Sequence, residues 1–362
     1  MKSTSINKKL YNQILLQPEK VIEEFDLVYT NPSYLNIQRL KENKTFIFKY
    51  KGKNLTDQTQ LKRIEGLVIP PAWRQVKISS LSNTHLQAVG RDAKQRKQYK
   101  YHQKWKEIRN QTKYYKMVLF ANHLPNIRKK VDQDLDQKQW TKSKVLALVV
   151  KLMEETHIRI GNSQYAKKNK TYGLTTLRSR HVNTYKDKIQ FEFVGKKGKE
   201  HKVSIRNKKL IRLVNKCEEI PGWELFQYYD QEGNKQKIDS TLLNQYLKEI
   251  SGTIFTAKDF RTWAASIIFF ESLLELGTEN DKNQNKKNIL KAIDIAAKEL
   301  GNTRNVCKKY YIHPAIISSY EDRSIEQFFN KAKKQSLETE YFTSSEKALK
   351  ELLKSYTTQL LS

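Results

Sequence analysis

The segment KIQFEFVGKKGKEHKVSI, residues 188–205, decides the fold class of this chain. Apolar residues alternate with polar ones through its first half, as they do on one face of a half-buried β-strand. The glycine- and lysine-rich stretch 195–200 interrupts this pattern, and residues 202–205 resume it. We therefore predict a hairpin with a lysine-rich turn, to which Leu174–Tyr185 adds a third strand.

Helical periodicity surrounds this β segment, because apolar residues recur at spacings of three and four from about residue 115 onward. One helix is predicted near Lys144–Thr156. Another follows Thr256, which forms a typical capping pair with Asp259. A third covers Asn288–Leu300 and ends at Gly301, a residue typical of helix ends.

The first 110 residues have a different pattern, in which short apolar segments are bounded by Gly and Pro. These segments are Thr45–Tyr50, Gly66–Ile69, Val76–Ile78 and Leu86–Val89. The sequence therefore predicts an α+β protein. We expect a small, mostly-β N-terminal domain at residues 1–110 and a mainly helical domain with a three-stranded sheet at residues 115–362.

The charge of the chain is strongly positive. Its 362 residues include 68 Lys plus Arg and 38 Asp plus Glu, which gives a net charge of +30. An excess of this size favours a polyanionic partner. The hydrophobic fraction of 38% is large enough for buried cores, so a disordered basic tail is excluded.

Several classes of protein are disfavoured by what the sequence lacks. Cys217 and Cys307 are far apart and form no CxxC motif, so neither a disulfide framework nor a cysteine zinc site is expected. The longest aliphatic run, Val145–Val150, is far shorter than the ~20 residues of a membrane helix. Phosphate-loop, HExxH, GxGxxG and EF-hand motifs are absent. We expect a soluble, cytoplasmic protein without a metal or other cofactor.

The densest basic stretch is RDAKQRKQYKYHQKWK, residues 91–106, which has seven Lys or Arg and one acid. Tyr99, Tyr101 and Trp105 are interleaved with these charges. Basic groups bind phosphates, and aromatic rings pack on sugars or bases, so this mixture favours nucleic acid. The alternative is a solvated surface strand.

Two arginines follow or enter apolar helical segments, Arg159 in HIRIGN and Arg261 in KDFRTW. A guanidinium in such a place needs an anion, and two of them can bind one phosphate. Taken alone, each arginine is more typical of a structural ion pair. The turn lysines at 196, 197 and 199 are likewise compatible with a solvated hairpin, and Tyr310 and Tyr311 with packing.

The order of these features resembles type IB DNA topoisomerases, in the compact form of bacteria and poxviruses. Six strings carry the resemblance, and they span most of residues 40–320. They are IPPAW (69–73), GRDAKQRKQYKYH (90–102), HIRIGN (157–162), YGLTTLRSRHV (172–182), KDFRTWAAS (258–266) and LGNTRNVCKKYYIHP (300–314).

The resemblance implies a role for each site residue. Tyr311 is the nucleophile, with Tyr310 as the near alternative, and Lys196 is the general acid, with Lys197 as the fallback. Arg159 and Arg261 hold the scissile phosphate. Asn302 takes a position where the viral proteins have histidine, which keeps a hydrogen bond but removes a titratable group. The DNA-binding candidates are Arg91, Arg96, Gln98, Tyr99, Tyr101, Asn162 and Tyr165.

The activity implied is relaxation of supercoiled double-stranded DNA through a 3′-phosphotyrosyl intermediate, followed by religation. The resemblance implies no ATP, other nucleotide, metal or membrane. It also implies a monomer clamped on DNA between its N-terminal and catalytic domains, and a location on the nucleoid in the cytoplasm.

Two alternatives remain open. A tyrosine recombinase or integrase shares the arginine pair, the hairpin lysine and the tyrosine. It usually has a second histidine near the position of Arg261, where this chain has Thr262 and Trp263. A non-catalytic basic nucleic-acid-binding protein would need only the charge.

Overall fold

The computed structural model describes residues 13–43, 45–252, 254–334, 336 and 338–361. The chain divides between Lys116 and Met117 into two compact units. The first is built around a β-sheet and the second is mainly helical with a small three-stranded sheet, so the α+β prediction is confirmed.

The first unit contains a six-stranded antiparallel sheet with the strand order β3-β2-β1-β4-β5-β6. Its strands are β1 (Ile37–Glu42), β2 (Thr45–Tyr50), β3 (Lys53–Asn54), β4 (Arg74–Ile78), β5 (Leu86–Arg91) and β6 (Lys97–Tyr101). The helices are α1 (Pro18–Val21) and α2 (Gln58–Gly66), with 3-10 turns at Ile22–Phe25 and Pro32–Tyr34. Helix α3 (Gln103–Leu135) continues into the second unit and begins earlier than the predicted change near residue 115.

Helix α2 covers one face of this sheet. Ile64 packs there with Ile37, Val76 and Ile78, all of which are buried. On the opposite face, polar side chains such as Gln38 and Lys77 and apolar ones such as Leu40 and Val89 together line a cleft of about 630 Å³. Charges on this face stay hydrated, whereas the apolar face gains from burial.

The predicted strand Gly66–Ile69 is wrong. Gly66 is the last residue of α2, and the chain then turns, with Val68 at a positive φ of 48°. The Arg39 guanidinium donates to the carbonyl oxygens of Ile69, Pro70 and Trp73 at 3.1, 3.0 and 2.8 Å. These side-chain bonds take the place of a strand ladder, which the apolar composition alone does not reveal.

The second unit has ten further helices among the described residues. They are α4 (Lys142–Thr156), α5 (Ser163–Asn169), α6 (Lys208–Glu218), α7 (Ser240–Ser251), α8 (Ala257–Leu276), α9 (Lys282–Glu299), α10 (Arg304–Tyr310), α11 (Pro314–Glu321), α12 (Glu326–Ala332) and α13 (Ser344–Leu361). The predicted capping pair is confirmed, because Thr256 and Asp259 form a capping box at the start of α8. No helix within the described ranges is both long and apolar enough to cross a membrane.

The predicted hairpin is confirmed. It joins β8 (Ile189–Val194) to β9 (Glu200–Ile205), and β7 (Val182–Thr184) completes the three-stranded sheet. The third strand is shorter than the predicted Leu174–Tyr185, because 3-10 turns occupy Leu174–Thr176 and Ser179–His181. A separate two-stranded ribbon pairs β10 (Gln227–Tyr229) with β11 (Lys235–Lys237).

Candidate active site

Tyr311 lies directly after α10 and is half-buried. Its backbone N–H donates to the carbonyl oxygen of Cys307 at 3.0 Å. The hydroxyl of Ser266, on α8, donates to the carbonyl oxygen of Tyr311 at 3.2 Å and accepts from the N–H of His313 at 3.1 Å. Ser266 is fully buried. One side chain of α8 therefore fixes the backbone that directly follows the predicted nucleophile.

Arg261 lies in the second turn of α8 and is only 6% exposed. Its guanidinium donates to the carbonyl oxygen of His157, at the end of α4, and to that of Leu300, at the end of α9, the latter at 2.8 Å. The last carbonyls of a helix have no partner within the helix, and they carry partial negative charge. Arg261 therefore joins two helix ends and is held rigidly between them.

The Arg261 guanidinium also lies over the ring of Tyr311, 5.8 Å from its centroid. Burial lowers the pKa of Arg261 below its ordinary value, and the nearby charge of Arg159 lowers it further, while Tyr311 opposes this change. The structure thus brings both predicted arginines and the predicted tyrosine into one electrostatic cluster. Developing phenolate charge on Tyr311 would be stabilised there.

Arg159 enters this cluster from the segment after α4. His157 ends that helix in the left-handed conformation, and the carbonyl oxygen of Arg159 accepts from the N–H of Leu174 at 2.8 Å. The Arg159 guanidinium donates to the side-chain oxygen of Asn302 at 2.5 Å. Asn302 follows α9, and its N–H donates to the carbonyl oxygen of Ala297 at 2.8 Å.

Two buried donors in this cluster have no hydrogen-bond partner among the described residues. They are Nε of Arg261 and Nδ2 of Asn302. Leaving a buried donor unpaired costs roughly 1–3 kcal/mol, and more for a charged group. Each of these N–H groups belongs to a side chain whose other atoms are already fixed by hydrogen bonds. The arrangement has the character of a preformed anion site.

Lys196 and Lys197 are exposed at the tip of the β8–β9 hairpin. The N–H of Gly195 donates to the carbonyl oxygen of Lys199 at 2.7 Å and closes the turn, in which Lys197 has a positive φ of 66°. His201, at the base of this hairpin, lies in the electrostatic field of Arg159 and Arg261. No hydrogen bond joins Lys196 to the other four predicted catalytic residues within the described part of the chain.

The comparisons with known proteins agree with this geometry. Residues 102–340 match the family model for the catalytic core of eukaryotic DNA topoisomerase I, and residues 46–92 match that for the N-terminal domain of bacterial DNA topoisomerase IB. DNA topoisomerase 1B of Acanthamoeba polyphaga mimivirus is 33% identical over 294 residues, which are 79% of this chain and 88% of the viral protein. The chain belongs to the type IB DNA topoisomerase family.

Poxvirus members of the family are more distant. DNA topoisomerase 1B of vaccinia virus (strain Western Reserve) is 26% identical over 244 residues, covering 67% of this chain and 74% of that protein. DNA topoisomerase 1 of rabbit fibroma virus is 25% identical over 276 residues, covering 71% and 81%. The alternatives of a recombinase and of a non-catalytic basic protein are not favoured by these matches.

The DNA-binding candidates of this topoisomerase's first unit lie at the edge of its sheet. Tyr99 and Tyr101 are 42% and 37% exposed on β6, with their rings stacked at 6.0 Å between centroids. Arg91 pairs with Lys97 across β5 and β6, and both line the cleft of this sheet. Edge position and exposure leave these side chains accessible to a ligand.

Arg91 donates to the side-chain oxygen of Gln75 at 3.1 Å and to the carbonyl oxygen of Gln95 at 2.9 Å, and two other candidates also have internal partners. Arg96 forms an ion pair with Asp92 at 2.7 Å, and the amide of Gln98 donates to the same carboxylate at 2.9 Å. In the second unit, Asn162 caps α5 by accepting from the N–H groups of Gln164 and Tyr165. The Tyr165 side chain is 49% exposed.

Burial and nearby arginines keep two of the histidines neutral at pH 7. Burial and the charge of Arg261 lower the pKa of His157 to about 4. Burial, with the charges of Arg180 and Arg178, lowers the pKa of His181 to about 4 as well. His181 accepts from the N–H of Arg178 at 3.0 Å, which fits a structural role.

Two residues of this site were missed by the sequence reasoning. Ser266 lies within KDFRTWAAS, but nothing in one sequence indicates that it bonds to Tyr311 and His313. His201 lies two residues beyond the lysine turn, on the same strand face as Val203 and Ile205, but strand alternation does not show that its ring contacts Gly301. Both roles depend on contacts between distant segments.

Proposed function

We propose that this chain relaxes supercoiled duplex DNA by cutting one strand, holding its 3′ end on Tyr311, and resealing it. The observation that carries the proposal is the pair of unpaired buried donors, Arg261 Nε and Asn302 Nδ2, in the cluster that contains Tyr311. The non-bridging oxygens of a phosphodiester would accept from both donors. Family membership supports the same conclusion, since type IB topoisomerases act on double-stranded DNA.

The reaction we propose is a transfer of the phosphoryl group between two oxygens. Tyr311 Oη forms a bond to phosphorus as its proton is lost to water. The bond from phosphorus to the 5′ oxygen breaks, and that oxygen takes a proton from Lys196. A tyrosine with a pKa near 10 is only about 0.1% ionised at pH 7, so attack needs a cationic environment. We assign that task to Arg159 and Arg261.

Preorganised donors of this kind are worth about 3–4 kcal/mol each in the transition state. Asn302, held by Arg159, would add a neutral donor to the same oxygens. The two guanidinium groups supply the charge neutralisation that metal ions supply in other phosphoryl-transfer enzymes. No step of the proposal therefore uses a metal.

Religation in this proposal is the same reaction run backwards. The phosphotyrosyl ester has an energy similar to that of the phosphodiester, so the free 5′ hydroxyl can attack it without ATP. While the strand is open, torsional stress rotates the duplex about the intact strand. The free energy of supercoiling drives the relaxation, and the protein only opens and closes the strand.

We further propose that a single copy of the chain binds the duplex through both its N-terminal domain, residues 1–110, and its catalytic domain, residues 115–362, on the nucleoid DNA and without a nucleotide. Exposed tyrosines and basic groups support this, since rings pack on sugars or bases while Lys and Arg neutralise phosphates. The proposed contacts are Arg91, Arg96, Gln98, Tyr99, Tyr101, Asn162 and Tyr165.

A plasmid relaxation assay in EDTA, without ATP, tests the proposal. The wild-type chain should convert a supercoiled plasmid of arbitrary sequence into a ladder of topoisomers. Tyr311→Phe should bind DNA as wild type does but relax none, and Tyr310→Phe is the matched control that should retain activity. A plasmid left supercoiled by the wild-type chain would instead favour a recombinase or a non-catalytic binder.

A further inference from the structure

His201 occupies an unusual place between two parts of the candidate site. It lies on β9, where it pairs with Phe193 of β8, and their rings stack with 5.0 Å between centroids and 9° between planes. Its imidazole also contacts Gly195, which precedes Lys196, and Gly301, which precedes Asn302. One ring therefore touches the lysine hairpin and the asparagine turn together.

The fit around this ring leaves no room for a side chain on either glycine. A Cβ added to Gly195 would lie 2.6 Å from Cδ2 of His201, and a Cβ added to Gly301 would lie 2.7 Å from Cε1. Gly301 also has a positive φ of 60°, which disfavours other residues there. The imidazole is thus wedged between two backbone segments and against the ring of Phe193.

The electrostatic surroundings of His201 favour an uncharged packing group over a proton donor. Burial lowers the pKa of His201 to about 4, and the charges of Arg159, Lys199 and Arg261 add to this effect. Near neutral pH the ring is therefore uncharged, and it can approach the arginine cluster without repulsion. A positively charged side chain of similar size would be repelled from this position by Arg159 and Arg261.

We propose that His201 is a positioning residue that fixes the lysine hairpin against the Gly301–Asn302 turn and so sets where Lys196 meets the departing 5′ oxygen. This inference rests on the proposed function. Asn302 is hydrogen bonded to Arg159, so the wedge links the hairpin to the groups that hold the phosphate. Lys196 itself is exposed and needs such a link to reach a defined place.

A sulfur substitution in the DNA separates this role from a general structural one. When sulfur replaces the bridging 5′ oxygen, the leaving group is a thiolate, whose conjugate acid has a pKa of about 8.5. An alkoxide resembles hydroxide and is a far stronger base than a thiolate. The thiolate leaves without a proton, so defects in proton delivery disappear with the sulfur substrate.

The experiment measures single-turnover cleavage of both substrates by the full chain at saturating protein. General acid catalysis contributes about 10²- to 10⁴-fold, so His201→Ala should slow cleavage of the oxygen substrate by about 10- to 100-fold. Cleavage of the sulfur substrate should stay within about 3-fold of wild type. Lys196→Ala should give the same pattern with a larger defect, and Arg159→Ala should slow both substrates.

Three further variants make the test specific. His201→Gln keeps a planar, uncharged group and should retain most of the rate, whereas a rate as low as that of His201→Ala would mean that His201 itself donates the proton. Gly195→Ala should give the pattern of His201→Ala. Lys202→Ala, on the same strand but in an exposed ion pair with Glu192, is the control and should match wild type.

The outcomes separate this inference from the proposed function. Equal slowing of both substrates by His201→Ala, or no slowing of either, overturns the positioning role while the sulfur rescue of Lys196→Ala preserves the function. A wild-type chain that cleaves neither substrate overturns the proposed function itself.

Discussion

Glu346→Ala should destabilise the second unit by several kcal/mol. Glu346 lies on α13, is 4% exposed, and accepts from both terminal nitrogens of Arg128 at 2.8 and 2.9 Å. It also accepts from the indole N–H of Trp263 at 3.0 Å. Trp263 follows Arg261 by two residues on α8. The substitution would leave an indole N–H unpaired and a guanidinium with Glu154 as its remaining carboxylate, at 3.0 Å.

The magnitude follows from these contacts. Removing one partner of a buried ion pair costs about 3–5 kcal/mol. Loss of the bond from the Thr343 N–H to the Glu346 carboxylate costs about 1 kcal/mol more, which the remaining Glu154 pair partly offsets. We therefore expect a loss of about 3–5 kcal/mol. At about 2–4 °C per kcal/mol for a unit of this size, Tm falls by roughly 6–20 °C.

Urea unfolding followed by tryptophan fluorescence, with thermal melting as a second measurement, tests this prediction. Glu351→Ala on the same helix is the matched control, because Glu351 pairs with Lys331 and both side chains are close to half exposed. A surface pair is worth less than about 1 kcal/mol, so the control should barely change stability. If Glu346→Ala stays within about 1 kcal/mol of wild type, the assigned network does not support α8.

Acid should destabilise the fold between pH 6.5 and 4. The pKa values of His157, His181 and His201 are lowered to about 4 in the folded chain, so between these pH values the unfolded chain binds protons that the folded chain does not. The stabilisation that these neutral histidines contribute is fully present above pH 6.5 and decreases as the pH is lowered. His181→Gln should flatten the decline of Tm, and an unchanged slope would contradict this. Ser266→Ala should lower the free energy of unfolding by about 1–3 kcal/mol, because it leaves the Tyr311 carbonyl and the His313 N–H unpaired. It should also slow cleavage of DNA. Normal single-turnover cleavage would show that Ser266 does not position the tyrosine. If the chain neutralises six to ten phosphates, its affinity for DNA should fall by about 10³- to 10⁵-fold between 50 and 200 mM salt, as measured by fluorescence anisotropy. An affinity that does not depend on salt would exclude phosphate contacts of that number.

Local patterns of the sequence predicted the local elements well. The capping pair at Thr256 and the alternation at 189–193 each depend on residues within a few positions, and the structure has both features. The strand predicted at Gly66–Ile69 was wrong because Arg39, some thirty residues away, donates hydrogen bonds to the carbonyl oxygens of that loop. Composition cannot register such a distant partner.

In the candidate site too, the sequence predicted the residue types but not the long-range contacts between them. Residue types in order indicated the arginine pair, the hairpin lysine and the tyrosine, but not how they are held. The bond from Arg159 to Asn302 spans 143 positions, and the contact of His201 with Gly301 joins β9 to the turn after α9 over 100 positions. These contacts exist only once helix ends and strands have packed, so one sequence contains no local sign of them.

The most direct test of the central claim is to trap the covalent complex on a suicide duplex, whose cleaved strand loses its 5′ end, and to identify the modified peptide by mass spectrometry. The account predicts a DNA 3′-phosphate attached to Tyr311 alone, beside the Arg261 guanidinium. Attachment to the exposed neighbour Tyr310, or the absence of any adduct from an active preparation, would contradict it.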